Sequence, residues 1–293
     1  MADAPAASVV IPTRDRLDQL AECLSALELQ TASSFEVIVV DDASRDDAGV
    51  ATVVSRFPRA RLLRGEGRGP AAARNLGASA ASADVLCFTD DDCEPSPAWI
   101  ETLVREIERG ADAVAGRTLS ARRDDPFAEA SQTITNHVMD ASADGTGNVT
   151  FAPTCNIACR TEVFRRAEFD EAYPLAAGED RELCERLRDR GVALVFAPEA
   201  RVLHDQRLTL QRYWNQHERY GRGASRWHRS RPRGARLQPL RFYAALLAKG
   251  FSKGPAIGAL VVLAQLAALA GITHEMLEAG WSRQRARSGS PAM

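Results

Sequence analysis

The chain has 293 residues, of which 45% are apolar and 26% charged, and its formal net charge is −2. This is the mix of an ordinary soluble globular protein, long enough for one large domain or two small ones. A balance so close to neutral excludes a molecule built as a whole to coat a polyanion.

In chain order, "SVVIPT" (8–13) is a β-branched run closed by proline and reads as a buried strand. Leu17, Leu20, Ala21, Leu24 and Leu27 then recur at helical spacing. "FEVIVVDD" (35–42) is a second strand ending in two acids, with a helix through about Phe57 behind it. "ARLLRG" gives a short third strand, and "GPAAARNLGASAAS" a helix with Pro70 near its first turn. "DVLCFTD" is the fourth strand, Trp99, Leu103 and Ile107 mark the next helix, and "ADAVAGRTL" is the fifth strand. Residues 121–150 are polar and weakly periodic, and are expected to form a mobile loop with one short helix. Order resumes with "VTFAPTCNIACRTEVFRRA", the turn "YPLAAGED", the helix "EDRELCERLRDRG" and the strand "ALVFAP". Such alternation predicts an α/β fold, a mostly parallel sheet flanked by helices, with ligands at the carboxyl ends of the strands. Pro12, Thr13, Asp41, Asp42 and the triplet Asp90, Asp91 and Asp92 all fall at those ends.

The last third differs in character. From Gln206 to Lys253 there are twelve Arg or Lys residues against one acid, Glu218. Such a stretch suits phosphates, of a nucleotide or of a lipid surface, although an Arg- and Ala-rich chain also reflects base composition. Its aromatics read as helix packing rather than stacking platforms, so no nucleic acid is expected. The run 255–272 is apolar on every side apart from Gln265. It leaves three readings open: a buried or subunit-contact helix, a helix lying on anionic lipid, or a membrane span. The expected division is therefore 1–205, a catalytic domain, and 206–293, a basic and partly apolar helical C-terminal extension. Six cysteines without a leading signal segment imply free thiols and a cytoplasmic protein, peripheral on the inner face of the cell membrane if the tail binds lipid.

Three adjacent carboxylates after an apolar strand repel one another, and capping a helix needs only one. Paired oxygen ligands suit a hard divalent ion, Mg²⁺ or Mn²⁺, which in turn holds a diphosphate. "GEGRGPAAARNLG" (65–77) lacks the Lys-Ser/Thr ending of a phosphate loop, but leaves Arg74 available to face a phosphate. "GED" (178–180) reads either as a helix N-terminus favoured by the dipole or as a carboxylate acting as general base on a hydroxyl. His204 reads as a core or rim histidine unless an oxygen-rich metal site is nearby.

As a set, "VVIPTRDR", "VIVVDDASRD", "GPAAARNLG", "FTDDD" and "GED" resemble family 2 glycosyltransferases with the A-type nucleotide-sugar fold, from about Ser8 to about His204. The resemblance implies a nucleotide-diphosphate sugar donor, a hydroxyl acceptor that can be lipid-linked, and inverting, metal-dependent transfer. It implies a donor site of Pro12, Thr13, Arg14 and Asp41, with Asp90 at the ribose and Asp91 beside it. Asp92 and His204 would hold the metal, and Asp180, next to Glu179, would be the catalytic base. "QHERY" (216–220) is similar to the Gln-x-x-Arg-Trp motif of processive members, but Tyr220 replaces the tryptophan, so non-processive transfer is expected. Arg219 or Arg222 would meet the charge growing on the diphosphate. Two alternatives stand beside it. A sugar nucleotidyltransferase would want a Gly-rich basic loop after the first strand, and a non-catalytic nucleotide-sugar-binding protein would lack some of these carboxylates.

Overall fold

The computed structural model describes residues 4–173, 177–229 and 238–288; part of the turn "YPLAAGED" and part of the basic stretch lie outside the described residues. The first half runs β1 (Ala7–Thr13), α1 (Leu17–Glu28), β2 (Phe35–Asp41), α2 (Asp47–Val54), β3 (Ala60–Arg64), α3 (Pro70–Ser79) and β4 (Val85–Phe88). There follow β5 (Cys93–Pro95), α4 (Trp99–Glu108), β6 (Ala113–Ser120), α5 (Pro126–Asp140), β7 (Asn148–Val149), β8 (Ile157–Arg160) and α6 (Thr161–Ala167). The remaining described elements are α7 (Glu179–Asp189), β9 (Leu194–His204), α8 (Leu210–Arg229), α9 (Leu240–Ser252) and α10 (Pro255–Ser288).

The strands form one sheet in the order β3-β2-β1-β4-β8-β6-β9-β5, with β7 on β9. Every position of β1 is buried because helices cover both faces. Val9 and Ile11 point into a core with Leu20, Leu24 and Trp99, whereas Val10 points the other way, among Ile38, Ala73, Phe88 and Leu183. The expected parallel arrangement holds for β3-β2-β1-β4. Beyond it the sheet is mixed, since β8 inserts antiparallel between β4 and β6, and β5 runs antiparallel to β9. The reason lies in the connection. Only four residues join β4 to β5, too few for a helical crossover, so the chain drops directly into the far edge of the sheet.

Two expectations need correction. Residues 121–150 are not mainly loop, because α5 is 15 residues long, with Pro126 in its first turn and the Asp125 carboxylate accepting the Phe127 and Ala128 amides. Its buried residues are Ala128, Ala130, Ser131, Gln132, Thr133 and Met139, small or polar groups that leave little apolar periodicity to read. The strand expected at "ALVFAP" continues to His204, interrupted opposite the Gly116–Arg117 step where the register shifts.

The tail packs on α5 through a small core of Ala130, Tyr213, Leu246, Val261 and Ala264. α8 and α10 touch backbone to backbone. A Cβ on Gly271 would lie 2.0 Å from the Glu218 carbonyl oxygen, and one on Gly221 would lie 2.0 Å from that of Ala268. Beside this contact Arg222, Arg226 and Arg229 converge on the buried Glu275 at 3.1, 2.9 and 2.7 Å. Part of the basic excess is thus matched inside the fold. The outer side of α10 exposes Val262, Leu266, Leu269 and Met276, and the segment Pro255–Glu278 is long and apolar enough to cross a membrane by length and composition.

Candidate active site

Parallel strands bring three chain reversals to one edge. Thr13 ends β1, Asp41 ends β2, and the chain leaves β4 through Asp90, Asp91 and Asp92. Pro12 has no amide proton to give, and sits where β4 has already left the ladder after Val10 and Phe88. The Thr13 hydroxyl donates to Asp91 Oδ2 at 2.8 Å, stitching the first reversal to the third. Asp41 is buried, pairs with Arg64 and accepts the Ser44 amide at 3.0 Å. Asp42 accepts the Gly69 amide at 2.8 Å and so fixes the start of α3. Arg14 is exposed at the mouth of this edge.

α3 carries Arg74 inward. Its side chain is only 3% exposed and donates to Asp90 Oδ1 at 2.7 Å and to Glu179 Oε1 at 3.3 Å. Expected at a phosphate, Arg74 instead joins the Asp triplet to the start of α7. Burial first, and then the Asp180 charge, push the Glu179 carboxyl up to about 7 despite Arg74. Asp180 follows on the same turn, accepts the Arg181 amide at 2.7 Å, and is also raised above the ordinary carboxylate range, chiefly by burial. Gly178 precedes them with φ +94, a conformation that favours glycine, and a Cβ there would come 3.0 Å from the Gly223 carbonyl oxygen. That close approach brings α8 over the site, with Tyr220 within electrostatic reach of Asp180. Arg219 is exposed and lines a small cleft with Tyr173 and Ala177. Arg222, in contrast, is engaged by Glu275 and by Glu278 at 2.6 Å.

Asp92 and His204 meet through sheet register. Asp92 directly precedes β5, and in the β5–β9 pairing Cys93 stands opposite His204, the last residue of β9. Asp92 Oδ1 lies 3.3 Å from His204 Nε2, and the Asp205 amide donates to the Asp92 carbonyl at 2.8 Å. Burial opposes the charge on Asp92, but His204 and Arg16 overcome it and hold the carboxyl below the usual range. Burial lowers His204 and Asp92 outweighs it, so the imidazole rises to about 9. A carboxylate and an imidazole with ligand atoms this close fit a divalent ion such as Mn²⁺, which would take the place of the His204 proton. Cys93 shares the cluster, but burial pushes its thiol well above the ordinary range, and a neutral thiol is a poor ligand for a hard ion.

One residue escaped the sequence reading. Arg16 Nη1 lies 2.9 Å from Asp91 Oδ1 and 2.7 Å from Asp92 Oδ2. A cation three residues past the end of β1 is a weak signal, and only the pairing of β1 with β4 brings it to the acids.

Residues 8–167 match the family model described as Glycosyl transferase family 2. The chain is 33% identical over 214 residues to Glycosyltransferase AglE of Haloferax volcanii, covering 69% of this chain and 68% of that protein. It is 30% identical over 225 residues to the pre-mycofactocin glycosyltransferase of Mycobacterium tuberculosis, covering 74% of this chain but only 46% of that one. Among solved structures, the mannosyltransferase PcManGT from Pyrobaculum calidifontis in complex with GDP-Man and Mn²⁺ superposes with a TM-score of 0.58 at 18% identity, over 97% of this chain and 81% of that one. TarS 1–349 from S. aureus in complex with UDP-GlcNAc gives 0.56 at 16% identity, over 85% of this chain and 73% of that one.

Proposed function

Because the chain belongs to glycosyl transferase family 2 and is a glycosyltransferase, we propose that it moves a sugar from a nucleoside-diphosphate donor to an acceptor hydroxyl by a single inverting displacement, with Asp180 as the general base. The observation that carries this reading is the Arg74 bridge, which puts Asp90 of the donor-side triplet and the Glu179–Asp180 pair in one crevice. Among the described residues Asp180 is hydrogen-bonded only to the Arg181 amide, through Oδ1, which leaves its other carboxylate oxygen for an incoming hydroxyl. Asp92 and His204 would hold Mg²⁺ or Mn²⁺, with the mixed oxygen and nitrogen set favouring Mn²⁺. Such an ion, when bound, offsets the charge that develops on the leaving diphosphate. The exposed Arg219 guanidinium would do the same from α8. Thr13, Arg14 and Asp41 would line the base and ribose side, at the ends of β1 and β2. Two structural neighbours, solved in complex with GDP-Man and with UDP-GlcNAc, support a nucleotide-sugar donor. Tyr220 at the motif's tryptophan position supports transfer of single sugars. In a thermal-shift screen with Mn²⁺, at least one UDP- or GDP-sugar should raise the Tm, and the same sugar should be hydrolysed slowly. Silence toward every donor with metal present would sink the proposal.

For the acceptor we favour a lipid-linked hydroxyl presented at an anionic membrane, the inner face of the cell membrane. The exposed Val262, Leu266 and Leu269 of α10, with the exposed Leu240 and Phe251 of α9 and an Arg- and Lys-rich sequence before α10, support this. The protein should float with anionic liposomes at low salt, and the double substitution Leu266→Asp, Leu269→Asp should abolish flotation. Retention of the unmodified protein in the soluble fraction would refute it.

A further inference from the structure

Three acids at one reversal need a positive partner before any ligand arrives, and the structure assigns that role to Arg16. The backbone delivers it deliberately. Asp15 adopts φ 56, in the left-handed region, and is held there on both sides. Its amide donates to the Ser44 hydroxyl at 2.9 Å, and its carboxylate accepts the Arg45 amide at 2.9 Å. The next residue, Arg16, is thereby turned back over the triplet just before α1 begins.

The two arginines at the triplet are not equivalent. Arg74 is 3% exposed and lies beneath Asp90, where it cannot leave without opening the core. Arg16 is 48% exposed and lies above Asp91 and Asp92, which are 5% and 12% exposed. It approaches from solvent, the side from which a cation or a diphosphate comes. Both oxygens of Asp92 are also taken: Oδ2 by Arg16 at 2.7 Å and Oδ1 by His204 at 3.3 Å. A divalent ion that uses Asp92 must compete with at least one of them, and Arg16 is the partner that can withdraw by side-chain rotation alone.

We propose that Arg16 is an exchangeable internal counter-cation. It neutralises Asp91 and Asp92 while the site is empty and yields Asp92 to the divalent ion. The released guanidinium then turns to the donor's diphosphate. This rests on the metal-dependent reading above and adds a consequence: the ion alone binds weakly, and the nucleoside diphosphate, by engaging Arg16, strengthens its binding. Linkage requires the ion to strengthen nucleotide binding by the same factor.

The test uses the full chain and reads Mn²⁺ binding by calorimetry or electron paramagnetic resonance, without nucleotide and then with UDP or GDP. Arg16→Gln is expected to bind Mn²⁺ alone about tenfold more tightly than the unmodified protein, as removal of a competing charge at a partly exposed site implies. Arg16→Lys should stay close to the unmodified affinity. The strengthening of Mn²⁺ binding by nucleotide should shrink in Arg16→Gln. Equal or weaker Mn²⁺ binding by Arg16→Gln, with an unchanged circular dichroism spectrum, would overturn the role of Arg16 alone. Absence of Mn²⁺ binding in every protein, with or without nucleotide, would overturn it together with the metal-dependent reading. A measurement free of variants covers misfolding. With ¹⁵N-arginine labelling, the Arg16 Nε–H resonance should move as Mg²⁺ is added while that of Arg74 stays. An Arg16 signal that does not respond to bound Mg²⁺ also rejects the exchange.

Discussion

Asp180→Asn is expected to lower kcat by about a thousandfold, the range for loss of a positioned general base, while the donor's Kd changes little. The substitution keeps shape and removes only the ability to accept a proton. It also spares the scaffold, because Asp180 makes neither of the Arg74 ion pairs, which go to Asp90 and Glu179. The unmodified enzyme should show an acid limb in its pH profile. Burial raises the Asp180 carboxyl above the ordinary aspartate value, so protonation removes the base earlier on acidification than for an exposed aspartate. Activity therefore falls as pH falls, with the limb above the range of an exposed aspartate, and the residual activity of Asp180→Asn should lack that limb. Donor binding can be followed by isothermal calorimetry and turnover by release of the nucleoside diphosphate. If the substitution abolished donor binding instead, Asp180 would be a donor ligand and the base would have to be sought elsewhere.

The parts of this site legible in the sequence are those that a single run of residues specifies. The β-branched runs of β1 and β2 declare themselves buried strands, and the polar residues that close them then fall at the ligand edge. What joins distant runs is not legible in the runs themselves, and only the family resemblance pairs Asp92 with His204. Asp92 meets His204 because the three-residue β5 pairs with the last residues of β9, and so short a strand leaves no periodic signal. Arg16 reaches its acids only through the register of β1 against β4. Arg74 reads as available for a phosphate because arginines are usually exposed, and only the fold supplies the half-buried Asp90 and the buried Glu179 that hold it inside. α5 was hidden for the opposite reason. Its partners α8 and α10 come so close that small and polar side chains suffice to fill the interface, with Gln216 bonded to Ser131 at 2.8 Å. The extension reads as helical, but its glycine contacts are specified by the partner backbone and not by any local pattern.

Arg74→Met should be the most destabilising single change at the site, at about 3–5 kcal/mol, the usual cost of removing one member of a buried ion pair. The stem of methionine fills much of the same space, so the loss is one of charge. Glu179, 5% exposed and already raised to about 7, would have to stay charged beside Asp180 with no cation or take up a proton, and among the described residues its Oε2 has no hydrogen-bond partner. Asp90 would lose its bond as well. Arg74→Lys should recover part of the loss, because one ammonium reaches one acid well but does not reproduce the two-pronged grip of a guanidinium. The decisive comparison is the pair Arg74→Met, Glu179→Gln. Removing both charges takes away the unpaired buried carboxylate, so this double variant should melt well above Arg74→Met alone, a coupling that denaturant titration of the four proteins measures directly. Its transferase activity should nevertheless stay low, since Asp90 and Asp180 are then no longer held in one frame. Equal melting of the single and double variants would mean that Arg74 acts by packing over Phe169, whose ring lies 5.5 Å from the guanidinium, rather than by binding the two acids.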